Sequence, residues 1–154
     1  MKKPEPRITP DNEPFYKALA ERRFVLPYCK ECGEPHLPPG PLCPFCFSDQ
    51  VHWKEASGRG RISTWTVVHK AWFPAFANDI PYNVVQVELE EGPRLTANVV
   101  GIRNEELRIG LPVEIVFGEA LPRFRVIRGR SPNSEDGELR AAGVRAPSPK
   151  SGDR

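Results

Sequence analysis

The stretch "CKECGEPHLPPGPLCPFC", residues 29–46, decides the fold. It holds two C-x-x-C pairs, Cys29/Cys32 and Cys43/Cys46, with ten residues between them. Two such pairs across a short loop supply four thiolates to one tetrahedral metal ion. Each pair curls the backbone into a knuckle, and two knuckles close the shell. Gly33 suits the left-handed turn that ends the first knuckle. Phe47 stands at the matching position of the second and is a less comfortable choice there. Zinc is the expected ion, at one per chain, and iron held in the same way is the alternative. Two disulfides or a redox C-x-x-C fit less well, because a redox motif does not come as a matched pair. A closed four-thiolate shell is structural and leaves no open position for chemistry. His36, between the knuckles, is expected on the surface, since four sulfurs already complete the shell.

The 154 residues are one domain's worth, or two small modules sharing an interface. Hydrophobic residues make up 39% and there are 18 prolines, far above the average of about 5%. No run of 18 apolar residues exists, so no membrane span is expected. The opening "MKKPEPRITPDNEP" lacks the apolar centre of a secretory signal, and a cytoplasmic location with reduced thiols is expected. A net charge of +2 is low for a protein that binds nucleic acid by its phosphates.

Before the knuckles, residues 1–10 read as a loose arm and "DNEPFYKALAERR" as a short helix. Asn12 or Asp11 is expected to cap it, with Pro14 in its first turn and Arg22 and Arg23 at its end. "FVLPY" (24–28) reads as a short strand leading into the metal site. After it the pattern turns to alternation. "RISTWTVVHK" (61–70) is rich in β-branched and aromatic residues. "YNVVQVELEE" (82–91) puts Val85, Val87 and Leu89 on one face, and "RLTANVVGI" does the same with Leu95, Ala97 and Val99. "RNEELRIG" allows a helical turn at most. "PVEIVFGEA" and "RFRVIR" complete five strands. Five strands whose only helical break follows the third fit the small Greek-key OB barrel, with a five-strand sandwich as the alternative. The expected organisation is an arm and helix at 1–23, a zinc ribbon at 24–56, a barrel at 57–128 and a disordered tail at 129–154. The fold class is therefore mainly β, with a short N-terminal helix.

A helix, a four-cysteine ribbon and a five-strand barrel in this order resemble one family. It is the acyl-CoA-associated OB-fold family with an N-terminal rubredoxin-like zinc ribbon. The residues that carry the likeness are "PFYKAL", "CKECGEPHLPPGPLCPFC", "WKEASGRGRISTWTVVH", "PYNVVQVELEEGPRLTANVVG" and "IGLPVEIVF…LPRFR", spanning about 13–126. Phe47 departs from the glycine usual after the last cysteine. The resemblance implies an accessory, non-catalytic or co-catalytic subunit that docks on a thiolase-like enzyme and helps enclose its coenzyme A thioester. A hydratase or aldolase is the second kind of partner it implies.

The residues themselves show no catalytic signature, because all four cysteines are committed to metal and the three histidines accompany no nucleophile motif. "HKAWFPAFANDIPY" (69–82) places Trp72, Phe73 and Phe76 in a loop, where polar residues are usual. If the loop folds back, these rings are core; otherwise they form a docking surface. His69 beside them is either a surface residue at a strand end or a group facing a partner's ligand. Arg59, Arg61, Arg123 and Arg125 are either a solvated strand face or a site for the phosphates of coenzyme A. Rings beside arginines also suit single-stranded nucleic acid, against which the acidic "VELEEG" hairpin and the low charge stand. A free-standing acyl-CoA carrier is the third class.

Overall fold

The computed structural model describes residues 3–118 and 121–127; the tail expected at 129–154 lies outside them. One α-helix, Glu13–Ala20 (α1), opens the chain with Pro14 in its first turn. It buries Phe15, Ala18 and Leu19, the i, i+3, i+4 face of an amphipathic helix. The expected side-chain cap does not form. Asn12 Oδ1 instead accepts from the Thr9 N–H at 2.8 Å, tightening the turn before the helix.

Val25–Cys29 (β1) pairs antiparallel with Val51–Glu55 (β2), from Val25↔Glu55 to Cys29↔Val51. The second of these strands was not expected. Three of its five residues are partly buried, two are exposed and they show no strict alternation, so pairing with β1 and not periodicity makes it a strand. The barrel follows: Arg59–Val68 (β3), Tyr82–Leu89 (β4), Arg94–Val100 (β5), Pro112–Val116 (β6) and Arg123–Val126 (β7). They close in the order β3-β4-β5-β7-β6, with β5 and β7 parallel and all other pairs antiparallel. Closure rules out the sandwich. The helical turn expected after β5 is a single 3-10 turn at Asn104–Glu106.

Ribbon and barrel share one core. Phe15, Phe24 and Leu26 belong to the same cluster as Ile62, Val87 and Phe124. Leu26, Ile62 and Val87 are at most 1% exposed, and each such side chain contributes about 1.5–3 kcal/mol by leaving water. Val85, Val87 and Leu89 point inward as their alternation demands, and Ala97 and Val99 join them from β5. Gly60 lets β3 and β4 approach closely, since a Cβ there would run into the Glu88 carbonyl and the Val87 side chain.

Two irregularities shape the surface. The β3–β4 register slips at Ser63, whose hydroxyl donates to the Gln86 carbonyl at 2.9 Å. The β4–β5 ladder stops at Val85↔Ala97, and beyond it the strands part around the side chain of Asn83. No helix among the described residues is long and apolar enough to cross a membrane.

Candidate metal centre and aromatic loop

The four cysteines come together at the end of β1. Cys29 Sγ lies 3.5 Å from Cys46 Sγ and Cys32 Sγ lies 3.6 Å from Cys43 Sγ. All four sulfurs fall within 4.8 Å of one another and none is in a disulfide. A tetrahedron with metal–sulfur bonds of about 2.3 Å has edges of roughly 3.8 Å, so the set fits zinc.

The two knuckles repeat one backbone design. Gly33 N–H donates to the Cys29 carbonyl and Phe47 N–H to the Cys43 carbonyl, at 3.1 and 2.9 Å. Cys29 N–H reaches the Glu34 carbonyl and Cys43 N–H the Ser48 carbonyl, at 3.0 and 2.8 Å. Gly33 and Phe47 both hold left-handed conformations, at φ 78° and 61°. The turn the spacing demands is therefore made at both sites, once by glycine and once by phenylalanine.

Charge also argues for a cation here. The Cys32 N–H aimed at Cys29 is foremost in holding that thiol down at about 6. For Cys32 the Glu34 amide pulls downward, but burial and the neighbouring sulfurs outweigh it and push the thiol up to about 12. Without a metal, then, the cluster keeps at least one proton at neutral pH. A divalent ion removes it by binding.

His36 overturns one expectation. It is 3% exposed, its N–H is bonded to the Pro27 carbonyl at 3.1 Å, and burial lowers its pKa from the ordinary imidazole value. Neither ring nitrogen has a hydrogen-bond partner. The proline-rich loop folds back over β1 at the Tyr28↔Pro35 bridge and carries the ring inside with it.

The loop between β3 and β4 leaves Trp72 70% and Phe73 63% exposed. Phe76 ends a 3-10 turn at Pro74–Phe76 and is half-buried, edge-on to Phe73 and tilted against Tyr82. Lys70 Nζ sits 4.5 Å from the Trp72 ring, and His69 is exposed beside it. The arm holds the far side of the loop, with Lys3 Nζ 2.7 Å from Asp79 Oδ2 and 5.6 Å from the Phe76 ring centre. Between arm, loop and the parted β4 and β5 lies a cleft of about 1060 Å³. Phe76, Tyr82, Asn98, Arg103 and Arg123 line it.

The arginines do not gather. Arg125 is held by Glu114 at 2.8 Å, Arg61 donates to the Gly110 carbonyl at 3.1 Å, and Arg59 lies across the ladder from Glu114. Arg123 alone of the four reaches the cleft. Leu42 and Phe45, which the sequence did not single out, are exposed around the second knuckle at 50 and 61%, beside the Phe47 ring at 75%. Apolar residues flanking metal ligands were the signal.

Residues 17–52 match the family described as "ChsH2, rubredoxin-like zinc ribbon domain", and residues 53–118 match "ChsH2, C-terminal OB-fold domain". A solved structure described as "Ltp2-ChsH2(DUF35) aldolase" superposes with a TM-score of 0.70 at 40% identity, covering 79% of this chain and 98% of that one. The chain belongs to the ChsH2 (DUF35) family. Among curated proteins, it is 39% identical over 135 residues to a "Probable enoyl-CoA hydratase alpha subunit" of Thermomonospora curvata. That match covers 86% of this chain and 42% of the relative. It is also 39% identical over 91 residues to a "DUF35 domain-containing scaffold protein" of Methanocaldococcus jannaschii, covering 58% and 63%. The chain thus spans less than two thirds of each of these two relatives.

Proposed function

We propose that this chain is a zinc-stapled accessory subunit of an enzyme complex acting on acyl-CoA, and that the loop between β3 and β4 docks on the larger enzyme. The observation that carries this reading is the exposure of Trp72 and Phe73 on a loop anchored from behind by Phe76, Lys3 and Asp79. Two rings held outward on a fixed base have little ordering entropy left to lose on docking. At about 25 cal/mol per Å², burying 200 Å² of them contributes about 5 kcal/mol before the costs of association.

The names of the relatives favour a hydratase or aldolase as the partner; a thiolase-like enzyme is the partner expected from the sequence. The coenzyme A thioester belongs to the joint site, toward which this chain offers the exposed His69, with Arg123 in the lining of the cleft. The zinc is structural, held by Cys29, Cys32, Cys43 and Cys46, and keeps the ribbon folded. The cleft on β4 and β5 lies where OB folds hold oligonucleotides, which supports single-strand binding as a second reading. Paired cations at its rim count against that reading, since Lys3 is bound to Asp79 and Arg103 to Glu106.

Tagged full-length chain expressed in its source cells tests the proposal. Recovery with an acyl-CoA hydratase, aldolase or thiolase is expected, and the pair Trp72→Ser and Phe73→Ser should release that enzyme without changing zinc content. A chain recovered alone, or one that binds single-stranded DNA with an affinity falling steeply in salt, defeats it.

A further inference from the structure

β3 pairs with β4 from end to end, but with β6 only over Arg59–Arg61. One more exchange on that side, between Ile62 and the Gly110–Leu111 backbone, finishes the closure. Past Ser63, no strand among the described residues covers the outer edge of β3. In an antiparallel ladder, paired residues turn their N–H and C=O groups both toward each other or both away. Asn83, opposite Val67, gives its carbonyl to the Asn98 side chain on β5. Val67 therefore turns its own N–H and C=O outward, and Trp65, two residues before it, does the same.

Native edges are usually blunted by charge, proline or a covering segment. Thr64–Val68 has no charge and no proline, and Thr64, Trp65 and Thr66 are exposed. We propose that this edge pairs with the same edge of a second copy of the chain, antiparallel about a two-fold axis at Thr66. The register sets Thr66 against Thr66, Trp65 against Val67 and Thr64 against Val68. Both outward-turned residues of each copy then exchange hydrogen bonds, and no charge meets a like charge. An axis at Trp65 needs the bulged Ser63 as a partner, and one at Val67 brings Lys70 against Thr64. An axis at Thr66 also carries each Lys70 toward the other copy's Ile62, beside which Ile109 stands 71% exposed. An aromatic against a β-branched residue and threonine against threonine are favourable cross-strand pairs. The inference is independent of the docking reading and rests on the backbone edge of β3, not on the rings of the loop that follows it.

Sedimentation of the zinc-loaded full chain over a concentration series tests it. A monomer–dimer equilibrium is expected, which Thr66→Lys and Thr66→Glu each weaken by about two- to fivefold, because like charges then face each other across the axis. An equimolar mixture of the two variants should pair again. Thr66 is exposed, so both should fold; if either does not, exchange of the wild-type Val67 amide should slow as concentration rises. A monomer at every concentration, a dimer indifferent to Thr66, or one abolished by Trp72→Ser overturns the proposal. Protection of Val67 only in the presence of a larger enzyme subunit also overturns it and gives the edge to that partner's strand.

Discussion

The side chain of Asn83 stands in for a stretch of backbone opposite Val99: its Oδ1 accepts the Val99 N–H at 2.7 Å and its Nδ2 donates to the Val99 carbonyl at 2.9 Å. Nδ2 also reaches Asn104 Oδ1 at 3.1 Å, and Asn104 in turn donates to the Pro81 carbonyl. The carboxamide keeps β4 and β5 joined while holding them apart, and the cleft opens from that separation. Asn83→Ala should cost about 2–4 kcal/mol, because two backbone groups lose their partner in a buried place. Asn83→Asp should be no better, since a carboxylate cannot donate to the Val99 carbonyl. Urea unfolding of the zinc-loaded protein measures both.

Zinc should bind at roughly one per chain and more tightly as pH rises, since binding must expel the proton held on Cys32. Chelation or Cys32→Ser should lower the thermal midpoint by roughly 10 °C or more, and the barrel should respond along with the ribbon because the two share a core. Metal content well below half a zinc per chain after gentle purification would contradict the site.

His36 gives a second, separable pH dependence. Its folded-state pKa lies below the unfolded value of about 6.5, so below that pH the unfolded chain binds the extra proton. Stability should therefore fall as pH drops through the window beneath 6.5. In His36→Phe that limb should flatten, leaving only the acid loss of metal. Unfolding midpoints at pH 7 and pH 5.5 for both proteins decide it.

Lys3 and Asp79 are half-exposed, and their ion pair is worth at most about 1 kcal/mol. Lys3→Ala should leave global stability almost unchanged. It should speed chymotryptic cleavage after Trp72 several-fold, since the arm then no longer restrains the loop. High salt should produce part of the same effect in the wild-type chain.

Spacing and alternation carried most of this architecture. The cysteine spacing gave the metal site because sulfur positions follow from local knuckle geometry, and the inward faces of β4 and β5 followed from a period of two. What escaped depends on contacts distant in sequence. β2 exists because β1 pairs with it. His36 is inside because a proline-rich loop folds over Pro27 and Tyr28. The cleft depends on a ladder ending at Val85↔Ala97, which no run of residue types announces. The arginines share an alternation pattern, but Glu114 from another strand takes up Arg125.

Phe47 is held at φ 61° with its ring 75% exposed, while Gly33 makes the same turn with no side chain at all. The knuckle uses only the amide of residue 47, and the ring is a passenger carried at a conformational cost of roughly 1–2 kcal/mol. Position 47 is therefore open to exchange: glycine there should firm up the ion's cage, and a fluorescent amino acid there would report on the metal from a place the metal does not need.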